Sequence, residues 1–250
     1  MKRGDLTPKP KVLLNGLGIP ESPRWHNGRL WFCNWIDRQV VAVGLDGKPE
    51  VMLTRDPDSH PMGYSIDWTL DGRLLVTGDK LRRQEPDGSM TTHAGQHANE
   101  IVVDGRGNIY LNGADFNFVA GEAPKPGYIQ LVTPDGELRQ VADDIQFPNG
   151  MVITPDNRTL IISESFAGRL TAFDIHADGS LSNRAWAERR RTGSTHEPAR
   201  RLRGTSGSCA VGIGSRRRRG SAVQLAYPMR GRVDVAFECR LSPPAATADD

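Results

Sequence analysis

Short apolar runs, separated by tight-turn residues, recur along the first three quarters of the chain. The predicted strands of the first half are Leu30–Trp35, Gln39–Gly44, Glu50–Leu53, Ser65–Trp68, Leu74–Thr77, Ser89–His93 and Glu100–Asp104. Those of the second half are Ile109–Asn112, Tyr128–Thr133, Leu138–Ala142, Gly150–Thr154, Thr159–Ser163 and Arg169–Ile175. Asp-Gly pairs separate many of them, and such pairs accept the positive φ of hairpin turns. No stretch of about ten residues has the apolar periodicity of a helix, so the pattern predicts an all-β protein.

A longer period overlies the strands. The segments SIDWTLDGRLLVTG, EIVVDGRGNIYLNG and GMVITPDNRTLIISES share one pattern and begin at Ser65, Glu100 and Gly150. Each is an apolar strand, a turn and a second strand that ends in small or polar residues. Repeats of about 40–50 residues with four strands each are typical of a β-propeller, and about four blades can be recognised before residue 188. A β-sandwich is the alternative, but it does not explain the repetition. A further strand is expected at Lys11–Leu14.

Charge divides the chain into two parts. Residues 1–188 carry 19 Lys+Arg and 25 Asp+Glu, whereas residues 189–250 carry 13 Arg, no Lys and five acids. The net charges of −6 and +8 sum to the +2 of the whole chain. We therefore predict a propeller body over 1–188 and an Arg-rich tail without apolar pattern over 189–250.

Composition also bounds the location. The three cysteines, Cys33, Cys209 and Cys239, form no CxxC pair and no disulfide framework. No apolar run approaches the roughly 18 residues of a membrane span, and the first residues lack the apolar segment of a secretory signal. We expect a cytoplasmic protein that does not enter a membrane.

Four segments carry a resemblance to a known family. LGIPESPRWHNGRLWF, ANEIVVDGRGNIYLNG, FPNGMVITPD and LSNRAWAE, in this order, resemble the gluconolactonase / senescence-marker-protein (regucalcin-like) family. The resemblance covers roughly residues 12–188. It implies a six-bladed β-propeller that hydrolyses sugar lactones or related small esters. It also implies one divalent metal, usually calcium, in the central channel, with zinc, manganese or magnesium as alternatives.

The resemblance extends to individual metal ligands. The family's Glu and Asn ligands match Glu21, in Pro-Glu-Ser-Pro, and Asn149, in Phe-Pro-Asn-Gly. A hard cation prefers such oxygen donors, which makes the assignment chemically reasonable. Without the resemblance, Glu21 would be a solvated loop acid and Asn149 a turn residue.

Four further residues are expected near the substrate. Asn99 matches a family Asn beside the metal's water shell, while Glu100 replaces the usual following Asp. His97 stands where some members carry a substrate-binding Arg, and Asp115 follows a predicted strand at the channel mouth. Because Glu100 and His97 differ from the family's usual residues, the resemblance does not predict which lactone or ester is the substrate.

The family's third ligand and general base is an Asp in a Pro-Asp-Gly motif that this chain lacks. At the corresponding distance the chain has Glu197 followed by Pro-Ala-Arg-Arg. GC-rich codons for that sequence can contain Pro-Asp-Gly in another frame, so one hypothesis is a frameshift just after Glu188. The alternative is a genuine basic tail. An incomplete ring would leave strand edges and apolar faces uncovered, so we expect low solubility.

Three functions are compatible with these observations. The first is a metal-dependent lactonase, whose activity in this chain is in doubt without the third ligand. The second is a non-catalytic propeller that binds a small ligand or a protein. Nucleic-acid binding by the Arg-rich segment is disfavoured, because only Tyr227 and Phe237 could stack on bases there. The oligomeric state stays open.

Overall fold

The computed structural model describes residues 12–117 and 120–188, together with residues 210–211 and 237–238. Within these residues every element of regular secondary structure is a β-strand. No helix long and apolar enough to span a membrane occurs in this part of the chain. Sixteen of the strands form four sheets of four antiparallel strands, and strands that follow one another in sequence are neighbours in each sheet.

The strands fall into four consecutive groups. The first sheet contains β1 to β4, which are Pro20–His26, Arg29–Asn34, Gln39–Val43 and Pro49–Thr54. The second contains β5 to β8, which are Ile66–Trp68, Leu74–Val76, Leu81–Gln84 and Met90–Ala94. The third contains β9 to β12, which are Glu100–Val103, Ile109–Ala114, Gly127–Val132 and Leu138–Ile145. The fourth contains β13 to β16, which are Pro148–Ile153, Thr159–Glu164, Arg169–Ile175 and Leu181–Glu188.

These sheets are the blades of a β-propeller. The first strands of successive sheets are in contact, because β1 meets β5, β5 meets β9 and β9 meets β13. They therefore lie innermost, side by side around a common axis, while the fourth strand of each sheet lies outermost. The all-β propeller prediction is confirmed, with four blades described between residues 20 and 188.

Outside the four blades, β17 (Ala210–Val211) and β18 (Phe237–Glu238) pair with each other antiparallel. Apart from these four residues, the predicted tail over 189–250 and its interpretation as disordered or out of frame lie outside the described residues.

The blades stack because apolar residues alternate along their strands. Successive side chains of a strand point to opposite faces of its sheet. In β2, Trp31 and Cys33 are buried against blade 2, whereas Leu30 and Phe32 are buried on the other face of blade 1. A blade buried on both faces needs apolar residues at nearly every position of its central strands, as the β2 sequence RLWFCN shows.

The same arrangement builds the next two interfaces. Between blades 2 and 3 the buried residues are Leu75, Leu81, Ala98, Ile101, Ile109, Leu111 and Val132. Between blades 3 and 4 they are Tyr110, Ile129, Leu131, Ile145, Met151, Leu160, Ile162, Phe173 and Ile175. The core is therefore three layers between blades, plus a cap on the free face of blade 1.

The chain before β1 provides that cap. We predicted a strand at Lys11–Leu14, but residues 12–14 form no strand. Instead, Leu13, Leu14 and Leu17 pack against the apolar cluster on the outer face of blade 1. The apolar residues that suggested a strand are thus used to cover a sheet face without pairing with its edge.

A repeated turn explains the regular spacing of the hairpins. Gly72 adopts a φ of +82°, and the hydroxyl of Thr69 donates a hydrogen bond to the carboxylate of Asp71. Thr69 Oγ1 also accepts the amide of residue 73 at 3.0 Å, which closes the turn. Turns of the same construction occur at 133–137 and 154–159.

The far face of blade 4 is apolar, and no described residue covers it. Val152 and Leu170 are 55% and 53% exposed, although both lie within strands. Ile161 and Ala172 lie beside them, because Ile161 pairs with both Val152 and Ala172 across the sheet. At the other three interfaces, residues in equivalent positions are buried by a neighbouring blade. We call these four residues the open face.

The open face should promote self-association. We expect the double substitution V152T/L170T to reduce the aggregation of the full chain, because threonine keeps the β-branched shape or strand preference but removes exposed apolar area. Static light scattering against protein concentration measures the effect. The control is L45T, since Leu45 is 73% exposed in a turn away from this face. Equal effects of the two changes would show that the open face is not responsible.

A buried carboxylate organises the end of blade 4. Glu164 is 1% exposed and accepts hydrogen bonds from Arg169 Nε and Nη2 at 2.9 Å, from the Gln146 amide at 2.8 Å and from the hydroxyl of Thr171. Arg184 approaches it to 3.6 Å. Burial by itself would raise the pKa of Glu164, but the hydrogen bonds and the charge of Arg169 outweigh it and lower the pKa to about 2.

The substitution E164Q should lower the free energy of unfolding by about 3 kcal/mol at pH 7, because it leaves buried donors and a guanidinium without their carboxylate. Since the folded-state pKa is lowered from 4.5 to about 2, this stabilisation is fully present above pH 4.5 and is lost as the pH falls towards 2. Urea unfolding of both proteins between pH 2.5 and 7 measures the difference. A difference independent of pH would contradict the assignment.

Candidate metal and substrate site

One end of the propeller gathers the polar residues of its inner strands. Each of the first strands begins there, and the neighbouring second strand carries a buried polar residue at or near its end. Asn34 and Glu164 end the second strands of blades 1 and 4, and Asn112 lies two residues before the end of β10 in blade 3; they are 3%, 1% and 0% exposed. In blade 2 the buried Thr77 directly follows β6. The strand geometry therefore places one polar group from each blade around the axis.

An ion pair between a partly buried arginine and a buried glutamate crosses this end from blade 1 to blade 3. Arg24 Nη2 lies 3.2 Å from Glu100 Oε2 and donates to the carbonyl of Ile101 at 2.7 Å. Glu100 also accepts the hydroxyl of Ser65, from blade 2, at 3.0 Å. Ser65 is in turn hydrogen-bonded to the hydroxyl of Ser22. Side chains of three blades thus share one hydrogen-bond network.

Glu21 lies beside this network on β1. Burial, with a smaller contribution from the negative charge of Glu100, raises its pKa from 4.5 to about 7, against a lowering by the Ser22 amide. Two carboxylates that compete for charge in a desolvated position are stabilised by a cation between or beside them. Glu21 is the residue that the sequence analysis predicts as a metal ligand.

Asn149 and Asn112 meet next to Glu100. The amide nitrogen of Asn112 donates to the carbonyl of Asn149 at 2.8 Å, and Asn112 is the cross-strand partner of Glu100. The Asn149 side chain donates to Ser165 at 3.3 Å and accepts the amide of Gly150. The buried Oδ1 of Asn112 has no hydrogen-bond partner among the described residues. A buried acceptor without a donor is uncommon, and a cation or ordered water would satisfy it.

Asn99 is held at the same end by its backbone. Its amide donates to the carbonyl of Asn112 at 2.7 Å, and its carbonyl accepts the hydroxyl of Thr77 at 3.1 Å. A Cβ atom placed on Gly63 would lie 3.9 Å from Asn99 Oδ1. The side-chain amide of Asn99 therefore borders the loop before β5.

The remaining predicted substrate residues lie in three different settings. His97 is exposed in the connection between β8 and β9, and it lines a cavity between blades 1 and 2. Asp115 is exposed just after β10, close enough for its charge to act on the hydroxyl of Tyr128. Glu100, by contrast, is buried in the ion pair with Arg24. Glu100 therefore helps to hold the residues of the site in place through Arg24 and Ser65.

Sequence reasoning did not single out Arg24, Ser22, Ser65 or Asn112 as site residues. A usable signal was present, since the second strand of each repeat ends in a polar residue, as in YLNG for Asn112. The pairing of Arg24 with Glu100 joins residues 76 positions apart and has no signature in the local sequence.

The sequence profile of the SMP-30/Gluconolactonase/LRE-like region matches residues 19–198. The chain belongs to this family. The match covers all four blades and the polar residues at their ends. No protein of curated function matches the chain significantly by sequence comparison.

Solved structures share the fold of this family member. A gluconolactonase from Xanthomonas campestris superposes with a TM-score of 0.58 at 23% identity, covering 70% of this chain and 64% of that one. A calcium-binding protein, regucalcin from Agrobacterium tumefaciens, gives 0.58 at 19% identity, with 72% and 62% covered. A luciferin-regenerating enzyme gives 0.59 at 16% identity, with 71% and 62% covered. The chain therefore spans less than two thirds of the length of these relatives.

The residues present fit a hard divalent cation in donor type. Glu21 supplies a desolvated carboxylate, Asn149 an amide oxygen, and Asn112 an acceptor that lacks a partner. Among the described residues no group of three His, Cys, Asp or Glu side chains could hold a metal. A metal site built from these residues would rely on one carboxylate and on amide oxygens.

The Arg24–Glu100 pair should be essential for the stability of the first three blades. We expect E100Q to lower the free energy of unfolding by about 3 kcal/mol, because it leaves the partly buried guanidinium of Arg24 without a counter-charge. The double variant R24M/E100Q should recover part of this loss. Chemical denaturation of the unmodified protein, R24M, E100Q and the double variant measures the coupling. Additive effects of the two substitutions would show that the pair is not coupled.

Proposed function

We propose that this protein is a divalent-metal-dependent hydrolase of sugar lactones or related small esters. Membership of the SMP-30/gluconolactonase family supports the reaction type. The observation that carries the proposal is Glu21, whose carboxylate is desolvated at the start of the innermost strand and whose pKa is raised to about 7. Such a position is costly for a carboxylate unless a cation occupies it.

Glu21 and Asn149 would hold the metal, with calcium as the expected ion and zinc, manganese or magnesium as alternatives. The regucalcin-like solved structure is described as a calcium-binding protein, which favours calcium. When bound, the metal polarises a lactone carbonyl and lowers the pKa of a coordinated water. Calcium affinity follows the number of charged ligands, so a site with one carboxylate binds it weakly.

Residues near the metal ligands would orient the substrate. The side-chain amide of Asn112 donates to the backbone carbonyl of Asn149, and Asn99 is fixed through its backbone to Asn112 and Thr77. Asn99 can therefore present a side-chain amide to a substrate hydroxyl or carbonyl next to the metal ligands. A cavity of about 550 Å³ adjoins it, which is within the usual size for small-molecule sites.

The alternative is a non-catalytic propeller that binds a small ligand or a protein partner. The single carboxylate of the site favours it, since the family's third ligand and general base has no counterpart in the described blades. Propellers carry many functions, so the fold does not decide between the two.

We also propose a cytoplasmic location. Cys33, a free thiol in the described part of the chain, is fully buried between blades 1 and 2, where it packs as a small apolar residue.

The test is hydrolysis of an aldonolactone by the full chain, followed as proton release. We expect calcium to support activity, EDTA to remove it and E21Q to reduce it more than about 100-fold, since even outer-shell partners of a metal are worth about 10- to 100-fold. The control is E137Q, which removes an exposed acid from the β11–β12 turn.

Three outcomes separate the alternatives. Loss of activity in E21Q but not in E137Q supports the metal-dependent hydrolase. Activity that survives EDTA overturns it. Binding of the lactone without turnover, unchanged by EDTA, supports the binding module.

A further inference from the structure

The wall of the cavity beside Asn99 includes an arginine, Arg55, whose positive charge forms no ion pair with the described residues. The cavity of about 550 Å³ lies between blades 1 and 2, and Arg55, Gly63, Thr77, Gly78 and His97 contribute to its wall. It borders the candidate site through Gly63, whose Cβ position is 3.9 Å from Asn99 Oδ1. A molecule in this cavity could therefore reach the candidate site while occupying the space next to Arg55.

The Arg55 guanidinium is placed by contacts with uncharged groups. It stacks on the ring of the buried Tyr64, with 4.1 Å between the guanidinium carbon and the ring centroid. Nη1 donates to the carbonyl of His60 at 3.0 Å. Within residues 12–117 and 120–188, Arg55 forms no ion pair. Gly78 gives Nη2 its space, because a Cβ there would lie only 2.7 Å from that nitrogen.

The other charged groups of the cavity wall are paired with each other or exposed to solvent. Arg82 is paired with Asp79 at 3.3 Å, so this pair is neutral as a unit. The Asp56 carboxylate accepts the amide of Asp58 at 2.8 Å in an exposed turn. Arg55 is thus the wall cation without a carboxylate partner in the described residues. The other two wall acids, Asp56 and Asp58, make the cavity unfavourable for a highly charged anion.

We propose that Arg55 binds a carboxylate carried by the substrate, which makes lactones or esters of acidic sugars the preferred substrate class. This inference rests on the proposed hydrolase function. A planar guanidinium pairs bidentately with a carboxylate, and stacking on Tyr64 fixes the plane in advance. A ligand with a single negative charge suits Arg55 beside the two acids Asp56 and Asp58 better than a phosphate dianion does. Arg55 is a specificity residue and takes no part in bond breaking.

The test compares a neutral aldonolactone with an aldarolactone, which has the same ring and an additional carboxylate. R55Q should raise KM for the aldarolactone about 10- to 100-fold, as expected for loss of a charge-assisted hydrogen bond, with kcat little changed. The neutral lactone should be unaffected. R55K, which keeps the charge but not the planar fork, should recover part of the loss.

The matched control is R82Q, which removes the same charge from the same cavity wall but from a group already paired with Asp79. R82Q should leave the ratio of the two KM values unchanged. Equal effects of R55Q and R82Q, or equal effects on both lactones, would overturn the proposal in favour of a general electrostatic or structural role. Thermal unfolding of each variant identifies a folding defect. If R55Q has such a defect, the KM of R55K for the two lactones decides whether Arg55 binds the carboxylate.

Equilibrium binding separates this inference from the hydrolase itself. Isothermal titration of an open-chain aldarate into the unmodified protein, R55Q and R82Q needs no turnover. Selective loss of aldarate binding in R55Q supports the Arg55 assignment even if neither lactone is hydrolysed, a result that would overturn only the proposed reaction. Inorganic phosphate that binds more tightly than the aldarate and depends equally on Arg55 would overturn the assignment to a carboxylate.

Discussion

The ion pair of Arg24 and Glu100 is the interaction on which the centre of this propeller depends. Burying two charges costs free energy, and the cost is recovered only if the charges meet each other and further hydrogen bonds. Ser65 of blade 2 and the Ile101 carbonyl of blade 3 supply those bonds. The first strands of three blades must therefore keep their relative positions, and apolar layers alone would not impose this, since they tolerate sliding and repacking.

The same constraint creates the candidate site. Glu100 is fixed by Arg24, so its negative charge acts steadily on Glu21 and raises the pKa of that carboxyl together with burial. On the other side, Asn112 lies opposite Glu100 and holds the Asn149 carbonyl. The candidate oxygen ligands Glu21, Asn112 and Asn149 thus come from blades 1, 3 and 4. Contacts that fix one of them also help to fix the others. A cation placed here would relieve the repulsion between Glu21 and Glu100 that the fold imposes.

Local sequence determined the hairpins, because turn chemistry and alternation act over a few residues. The strand Arg29–Asn34 and the turn at Gly72 follow from such signals. The strand β1 was missed because Pro20 and Pro23 argue against a strand, yet an innermost edge strand tolerates proline. The predicted strand Lys11–Leu14 failed for the converse reason, since apolar residues can cover a sheet face instead. At the site, Glu21 and Asn149 were available from resemblance, whereas partners such as Arg24 depend on contacts between distant blades.

The candidate metal site and the cavity beside it differ in the charge that they present to a ligand. Glu21 is a desolvated carboxylate near the negative charge of Glu100, which favours a cation, whereas Arg55 offers a positive charge without an ion-pair partner among the described residues. A substrate that spans the two would need a polarisable carbonyl at one end and a carboxylate at the other. Because the Arg55 plane is fixed by Tyr64 and Gly78, the separation of those two groups is set by the contact between blades 1 and 2. Substrate preference would then be a property of how these blades stack, and it could change through residues that never touch the substrate.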